Sequence, residues 1–404
     1  MSTFSDLEPT VQALEQRGNA LLDRAETIIE NGESWSALTG QNKTDVDAKA
    51  AQVSTDAATA SSAKTAAEAA RDSAVAIADP ESAIEAAFDI WVKDKEREAF
   101  EAATGGACTI ERTADGDAAH MFILPKMKWE DLVPSGELGT GVHEAFIEGG
   151  VEKSELLIGM YQAASMTGSG GSSSRLTSQP GLTPRRWLTW GNSRSAAQAA
   201  GFDIMSTWEW SAIAFWCMAN GFQPRGNTNY GQSHSHPHEV GIQAYESYGR
   251  VTTRTGSGPN TWNHNNAANG IADLVGNVGE WQRGFKIVDG RIFLAPDNDK
   301  SLVESSWGDT GWDIPNSNGG NWAGFYDAQN EAPLAVRRAL IMPNGVADPD
   351  GSLYSAPTGE RFPHRGSSLT PDDARASVQG LGSLTFHAPE GSTLFLGFRL
   401  SRLI

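Results

Sequence analysis

The chain has 404 residues, with 50 acidic and 31 basic side chains and a formal net charge of −19. Such an excess of carboxylates repels nucleic-acid phosphates and argues against DNA or RNA binding. The sequence has no run of 18 apolar residues and no basic-then-apolar N-terminal segment, so neither membrane insertion nor secretion is predicted. Two cysteines, Cys108 and Cys217, make no disulfide framework, which favours synthesis in a reducing cytoplasm.

Residues 1–80 form a segment of their own, rich in Ala, Ser, Thr, Asp and Glu. Small apolar residues recur there every three or four positions, at Val46, Ala50, Val53, Ala57, Ala60, Ala63, Ala67, Ala70, Ala74 and Ile77. This near-heptad spacing predicts a coiled-coil stalk. An alanine seam buries little area, so we expect the helix to need partner chains, preferably in a parallel homotrimer. A solvated alanine-rich helix or linker is the alternative.

Residues 81–107 are predicted to connect the stalk to a second region. A helix is expected over residues 82–103, because its apolar residues share one face, and Gly105-Gly106 ends it. Beyond residue 107 the composition changes, and ten of the 13 tryptophans lie between Trp187 and Trp322. This predicts a loop-rich globular domain over residues 108–404 and an α+β chain overall.

Two elements of that domain can be located from local patterns. Ser206 and Glu209 have the spacing of a capping box, and the Trp, Ile and Ala residues that follow recur at helical spacing until Asn220-Gly221. We interpret this tryptophan-rich stripe as core packing. The short apolar run at residues 155–161 predicts a buried strand.

The run Gly270-Ile-Ala-Asp-Leu-Val-Gly-Asn-Val-Gly-Glu-Trp281 and the ending Leu396-Gly-Phe-Arg-Leu400 resemble the signature of the formylglycine-generating enzyme family, the sulfatase-modifying factors. Supporting segments are Val142–Phe146, Gly149–Glu152, Leu157–Tyr161, Ser206–Trp210 and Arg365–Ser368. The resemblance covers residues 108–404. It implies a variant of the C-type lectin fold, a fold that also forms receptor-binding tips of some phage tail fibres.

The resemblance also implies a calcium site. In the similar enzymes the positions of Asp273 and Glu280 bind calcium through side chains, and those of Gly276 and Val278 through backbone carbonyls. The residue types suit Ca²⁺, which takes six to eight oxygen ligands. The alternative is that Asp273 is a surface charge and Glu280 caps a turn. No organic cofactor is predicted.

Enzymatic activity in this family depends on two cysteines. They follow the family segment to which Arg365–Ser368 is similar. Low-pKa thiols there bind copper and activate oxygen. In this chain the two positions fall at about Pro371 and Ala376, and no cysteine follows Cys217. We therefore predict that the protein is not an enzyme; a formylglycine-type oxidase is the disfavoured alternative.

A histidine-rich loop is a second candidate metal site. His234, His236 and His238 alternate along one segment, and such residues can converge on a transition metal, including one shared by several chains at a threefold axis. A solvated polar loop is the alternative.

Four aromatic residues that lie among Gly, Asn and Asp mark candidate receptor-binding loops. These residues are Trp307, Trp312, Trp322 and Tyr326. Such side chains stack on sugars or fill protein pockets at low entropic cost. An alternative of equal weight is that these aromatic side chains pack beneath the loops.

These features predict a phage or prophage tail-fibre receptor-binding protein, made in the host cytoplasm and carried in the virion. The stalk would attach to tail or baseplate proteins, and the C-terminal domain would bind a bacterial polysaccharide, pilus or outer-membrane protein. Trimerisation would add avidity. The alternative with the same fold is a variable protein of a diversity-generating retroelement.

Overall fold

The computed structural model describes residues 80–166, 175–247, 249–321, 332–341, 351–355, 358–367, 369, 381–393 and 395–404, with isolated positions between 16 and 64. The chain divides into two compact units, Met1–Asp94 and Lys95–Ile404. Within the described residues, no helix is both long enough and apolar enough to cross a membrane.

The described positions of the predicted stalk are helical. Two seam residues, Val53 and Ala57, are half-buried, whereas the residues between them are exposed. Most other seam positions lie outside the described residues, so the trimeric coiled coil stays a prediction.

The predicted connecting helix is confirmed as α1, Pro80–Ala103. Its first residue is proline, which tolerates the first helical position because that N–H has no intrahelical partner. At its end, Gly105 and Gly106 have φ of +66° and +79°, and the Gly106 N–H donates to the Glu101 carbonyl at 2.8 Å. The second unit begins within α1, before the residue-108 boundary expected from composition.

The remaining described helices and strands are short. The helices are α2 (Trp129–Leu132), α3 (Trp190–Ala199), α4 (Thr207–Ala219) and α5 (Leu334–Arg338), with 3₁₀ turns at Glu144–Phe146, Asn260–Trp262 and Glu304–Ser306. The first strands are β1 (Cys108–Arg112), β2 (Ala118–Pro125), β3 (Ile147–Glu148), β4 (Val151–Glu152), β5 (Glu155–Gly159), β6 (Ala164–Ser165), β7 (Leu176–Thr177) and β8 (Asp203–Ile204). The middle strands are β9 (Gln243–Ser247), β10 (Arg250–Thr253), β11 (Gly279–Trp281), β12 (Phe285–Val288), β13 (Arg291–Leu294), β14 (Gly308–Asp313) and β15 (Ser317–Asn321). The last strands are β16 (Ser352–Ser355), β17 (Glu360–Arg365), β18 (Leu384–His387), β19 (Leu396–Gly397) and β20 (Leu400–Leu403).

One sheet joins the two ends of the second unit. Its order is β1-β2-β5-β20-β8, and every pairing is antiparallel. The predicted buried strand is therefore confirmed as β5, which lies between β2 and the C-terminal strand β20. Small hairpins β3-β4, β6-β7 and β9-β10 lie outside this sheet.

A second sheet has the order β14-β13-β12-β17-β18-β16-β15, and β11 pairs with both β17 and β19. Most pairings are antiparallel, but β11-β19 and β16-β18 are parallel. The segment Leu396–Leu400 contributes to both sheets, through β19 in the second and β20 in the first, and the fully buried Arg399 lies between these two strands.

Helix α4 anchors the core. The Ser206–Glu209 capping box is confirmed, with Ser206 accepting from the Glu209 N–H and Glu209 accepting from the Ser206 N–H. Trp208 and Trp210 are buried and donate their indole N–H groups to backbone carbonyls. The helix is apolar on almost all sides, as expected of one surrounded by core. The described chain is α+β, as predicted.

Candidate functional site

The turn before β11 gathers oxygen atoms at one point. Asp273, Gly276 and Asn277 all have left-handed backbone, with φ of +57°, +78° and +62°. A side chain at Gly276 would bring its Cβ to 2.3 Å from the Asn227 carbonyl oxygen, so only glycine fits. As a result, the carbonyls of Asp273, Gly276 and Val278 converge with one carboxylate oxygen of Glu280.

The side-chain amide of Gln162 occupies that point of convergence. Its Nε2 lies 3.0 Å from the Asp273 carbonyl oxygen, 3.4 Å from that of Gly276 and 3.0 Å from that of Val278. It is also 3.2 Å from Glu280 Oε1. The two N–H groups of the amide are thus shared among four oxygen acceptors. Gln162 is fully buried, so water does not reach this amide.

The orientation of this amide is determined by Asn277. Asn277 Oδ1 accepts from the Thr253 N–H at 2.9 Å, and its Nδ2 donates to the Thr253 carbonyl at 3.1 Å. The same Nδ2 donates to Gln162 Oε1 at 3.1 Å. Reversing the Gln162 amide would place two N–H donors against each other. Its nitrogen therefore points at the four oxygens.

Arg399 neutralises Glu280. Its Nε and Nη2 donate to the two carboxylate oxygens at 2.9 and 2.6 Å, forming a bidentate pair. Its other N–H groups reach the carbonyls of Gly159 and Ala272 at 2.9 and 2.8 Å. Both charged side chains are buried, so this pairing offsets the cost of removing them from water.

The four residues predicted to bind calcium therefore lie together, but they do not fit the ion. Calcium–oxygen distances are about 2.3–2.6 Å, and the space between these oxygens holds an N–H donor. One atom would suit a cation: Asp273 Oδ1 is buried and has no hydrogen-bond partner within the described part of the chain. Its Oδ2 accepts from the Gly256 N–H, and burial raises the pKa of Asp273 to about 6.

The three predicted histidine ligands do not converge within one chain. His234 Nδ1 lies 2.8 Å from the Thr228 hydroxyl, while the rings of His236 and His238 lie edge-to-face with centroids 5.9 Å apart. Across the described ranges, no group of three or more His, Cys, Asp or Glu side chains is placed to hold a metal ion. A site shared between chains stays a prediction.

Two of the predicted receptor-binding aromatics belong to the packed interior. Trp307 is 3% exposed and packs edge-to-face on Phe362. Trp312 is half-buried and packs on the main core. Trp322 and Tyr326 lie outside the described residues. For Trp307 and Trp312, packing beneath the loops is therefore what the structure supports.

Both thiols are buried and unsuited to thiolate chemistry. Burial raises the pKa of Cys108 to about 12 and raises that of Cys217 as well. Pro371 and Ala376, which stand at the family's cysteine positions, lie outside the described residues.

A surface cavity of about 190 Å³ opens beside β9, at a place that sequence reasoning missed. Its lining is Ser165, Thr183, Pro184, Arg185, Arg186, Trp187 and Tyr245. No carboxylate is among these residues, although the chain carries a net charge of −19. The signal available in the sequence was the Arg185-Arg186-Trp187 run within a loop.

Arg186 is a buried residue in the lining of this cavity. It is 5% exposed, its guanidinium carbon is 3.9 Å from the centroid of the Tyr245 ring, and its Nη1 donates to the Thr252 hydroxyl at 2.8 Å. No carboxylate lies within salt-bridge distance of it among the described residues. Burial lowers the pKa of Arg186, but arginine stays charged.

Trp187 stands at the rim of the cavity in a strained conformation. Its φ is +62°, which bulky residues rarely adopt, and its side chain is 56% exposed. Tyr245, whose ring lies against the Arg186 guanidinium, is 39% exposed. Neighbouring backbone is firmly held, because the Arg185 N–H donates to the Ala163 carbonyl at 2.7 Å. Strain of this kind persists where the surrounding structure enforces it and is typical of ligand-binding sites.

Comparisons with known proteins give little further guidance. No protein-family model matches the chain. No curated protein matches it. Among solved structures, Treponema denticola variable protein 1 is similar over 74% of this chain and 99% of that chain, with 11% sequence identity and a TM-score of 0.30. A likeness at that level carries no argument about function.

Proposed function

We propose that this chain is an adhesion protein that binds its receptor without covalent chemistry, at the cavity beside Arg186. The observation that carries the proposal is the exposed, strained Trp187 next to a buried arginine that lacks a counter-ion among the described residues. An exposed indole in a costly backbone conformation contributes nothing to the core. Such an indole is available for contact with a ligand.

The chemistry of the cavity favours an acidic saccharide as the ligand. Trp187 and Tyr245 offer aromatic faces for a sugar ring, Ser165 and Thr183 offer hydroxyl groups, and Arg186 offers a charge for a carboxylate. The volume of about 190 Å³ is below the roughly 300 Å³ of drug-sized sites, so it suits a single sugar unit. A carboxylated sugar of a bacterial surface polysaccharide meets these requirements.

The wider setting follows the expectations from sequence. We propose a C-type-lectin-like domain carried on a trimeric helical stalk, attached to tail or baseplate proteins of a phage or prophage. A variable protein of a diversity-generating retroelement is the second candidate and would use the same cavity or neighbouring loops. Burial raises the pKa of both thiols, which argues against a thiol-dependent oxidase that would use either of them.

The proposal is tested with an array of bacterial polysaccharides in native and carboxyl-reduced forms. We expect binding to carboxylated sugars, loss of that binding after carboxyl reduction, and at least a tenfold weaker affinity for Arg186→Gln and for Trp187→Ala. A matched control is Trp91→Ala, since Trp91 is equally exposed at 56% but lies on α1. Equal binding of reduced and native sugars, or full affinity in both cavity variants, would refute the proposed site.

A further inference from the structure

We propose that Gln162 and Arg399 together replace a calcium ion inside this domain, so that the turn at residues 273–280 is held without metal. The resemblance to the enzyme family implies calcium at this turn. The structure instead places the Gln162 amide nitrogen within 3.0–3.4 Å of three implied ligand atoms, which are the Gly276 and Val278 carbonyl oxygens and Glu280 Oε1, and of the Asp273 backbone carbonyl oxygen. This inference is independent of the proposed receptor site.

The replacement accounts for the geometric function of an ion. A bound cation would draw the oxygens of this turn together in a loop that has little regular structure. The amide does so for the carbonyls of Asp273, Gly276 and Val278 and for one oxygen of Glu280, and its own carbonyl is fixed by Asn277. Asn277 in turn pairs with both backbone groups of Thr253, which links the turn to β10.

The replacement also accounts for charge. Glu280 is fully buried and needs a positive partner, which Arg399 supplies through two hydrogen bonds. Arg399 further donates to the carbonyls of Gly159 and Ala272, so the guanidinium connects β5 to the start of the turn. Adding a divalent ion to this arrangement would leave buried positive charge in excess beside Arg399.

The first test is the melting temperature of the full-length protein in calcium and in EDTA. We expect the same Tm in both and no calcium uptake by titration calorimetry. A Tm that falls by several degrees in EDTA, or the uptake of one calcium ion per chain, would overturn the inference, because an ion would then occupy this turn in spite of the amide.

The second test restores an ion site with a nearly isosteric change. Gln162→Glu removes both N–H donors and adds a carboxylate that faces Glu280 and three carbonyls. We expect its Tm to fall in EDTA and to recover by several degrees in calcium. Gln282→Glu is the matched control: Gln282 is equally buried, and its amide has no partner among the described residues. The control should lose stability without recovery in calcium.

A third variant covers the case in which Gln162→Glu does not fold. Gln162→Asp places a carboxylate in the same space on a shorter side chain, and we expect it to take up calcium where the wild type does not. If neither Gln162 variant responds to calcium more than Gln282→Glu does, the amide does not stand in the ion's position and the inference is wrong.

Discussion

Trp187 shows how one residue can be costly for the fold and useful at the surface. Left-handed backbone costs a bulky L-residue about 1–2 kcal/mol, and an indole that is 56% exposed recovers little of this through burial. Glycine adopts the same φ without strain. Under the proposed function, the tryptophan at position 187 serves binding rather than stability.

We expect Trp187→Gly to keep or raise the stability of the protein and to weaken its binding of sugar. The variant should unfold at an equal or higher denaturant concentration than the wild type, because strain is relieved, yet it should lose sugar binding at least tenfold. Chemical denaturation and calorimetric titration measure the two effects. A clear loss of stability would mean that the indole is part of the packing after all.

At the residue scale, the sequence predicted the residues of the turn before β11 but not the glutamine that contacts them. Asp273, Gly276, Val278 and Glu280 were brought together correctly because they lie in one short motif. Gln162 was missed because it comes from a distant strand end, and a lone glutamine carries no local pattern. The four aromatics were chosen by their polar neighbours, which say nothing about the direction of a side chain; Trp307 points inward.

Glu239 holds together the long segment between α4 and the turn. Its carboxylate pairs with Arg225 and accepts from the Thr261 hydroxyl at 2.9 Å and from the Trp262 indole at 3.1 Å. These bonds fasten the histidine loop to the 3₁₀ turn Asn260–Trp262. Hydrogen bonding from Arg225 lowers the pKa of Glu239 from 4.5 to about 2.

A depressed folded-state pKa means that Glu239 stabilises the protein above pH 4.5 and that this contribution is lost as the pH falls towards about 2. Glu239→Gln should therefore cost on the order of 2 kcal/mol at pH 7. The difference from wild type should shrink steadily below pH 4.5. Urea unfolding of both proteins across this range is the measurement, and a constant difference would contradict the assignment.

At the element scale, the sequence located the elements with strong local signals. Helices α1 and α4 and strand β5 were predicted because their periodicity, caps and terminal glycines are local. The strands from β9 to β18 were not predicted, because each has only three to six residues and several, such as β11 and β17, pair with strands that are distant in the sequence. Strand β11, with three residues, exists through its pairing with β17 and β19.

At the scale of the whole molecule, the predicted assembly follows from the thin seam of residues 46–77. Light scattering on the full chain should give three times the chain mass of 43.1 kDa. Val53→Glu places a charge in the seam and should shift the protein towards the monomer, while the exposed neighbour Ser54→Glu should not. A monomeric wild type would refute the stalk.

The central claim is that an acidic sugar is held between Trp187 and Tyr245 with its carboxylate on Arg186. The most direct measurement is a crystal structure of the full-length protein with the carboxylated oligosaccharide that binds it most tightly. We predict a sugar ring against Trp187 and a carboxylate oxygen within hydrogen-bond distance of the Arg186 guanidinium. A ligand seated on other loops, with this cavity empty, would contradict the claim.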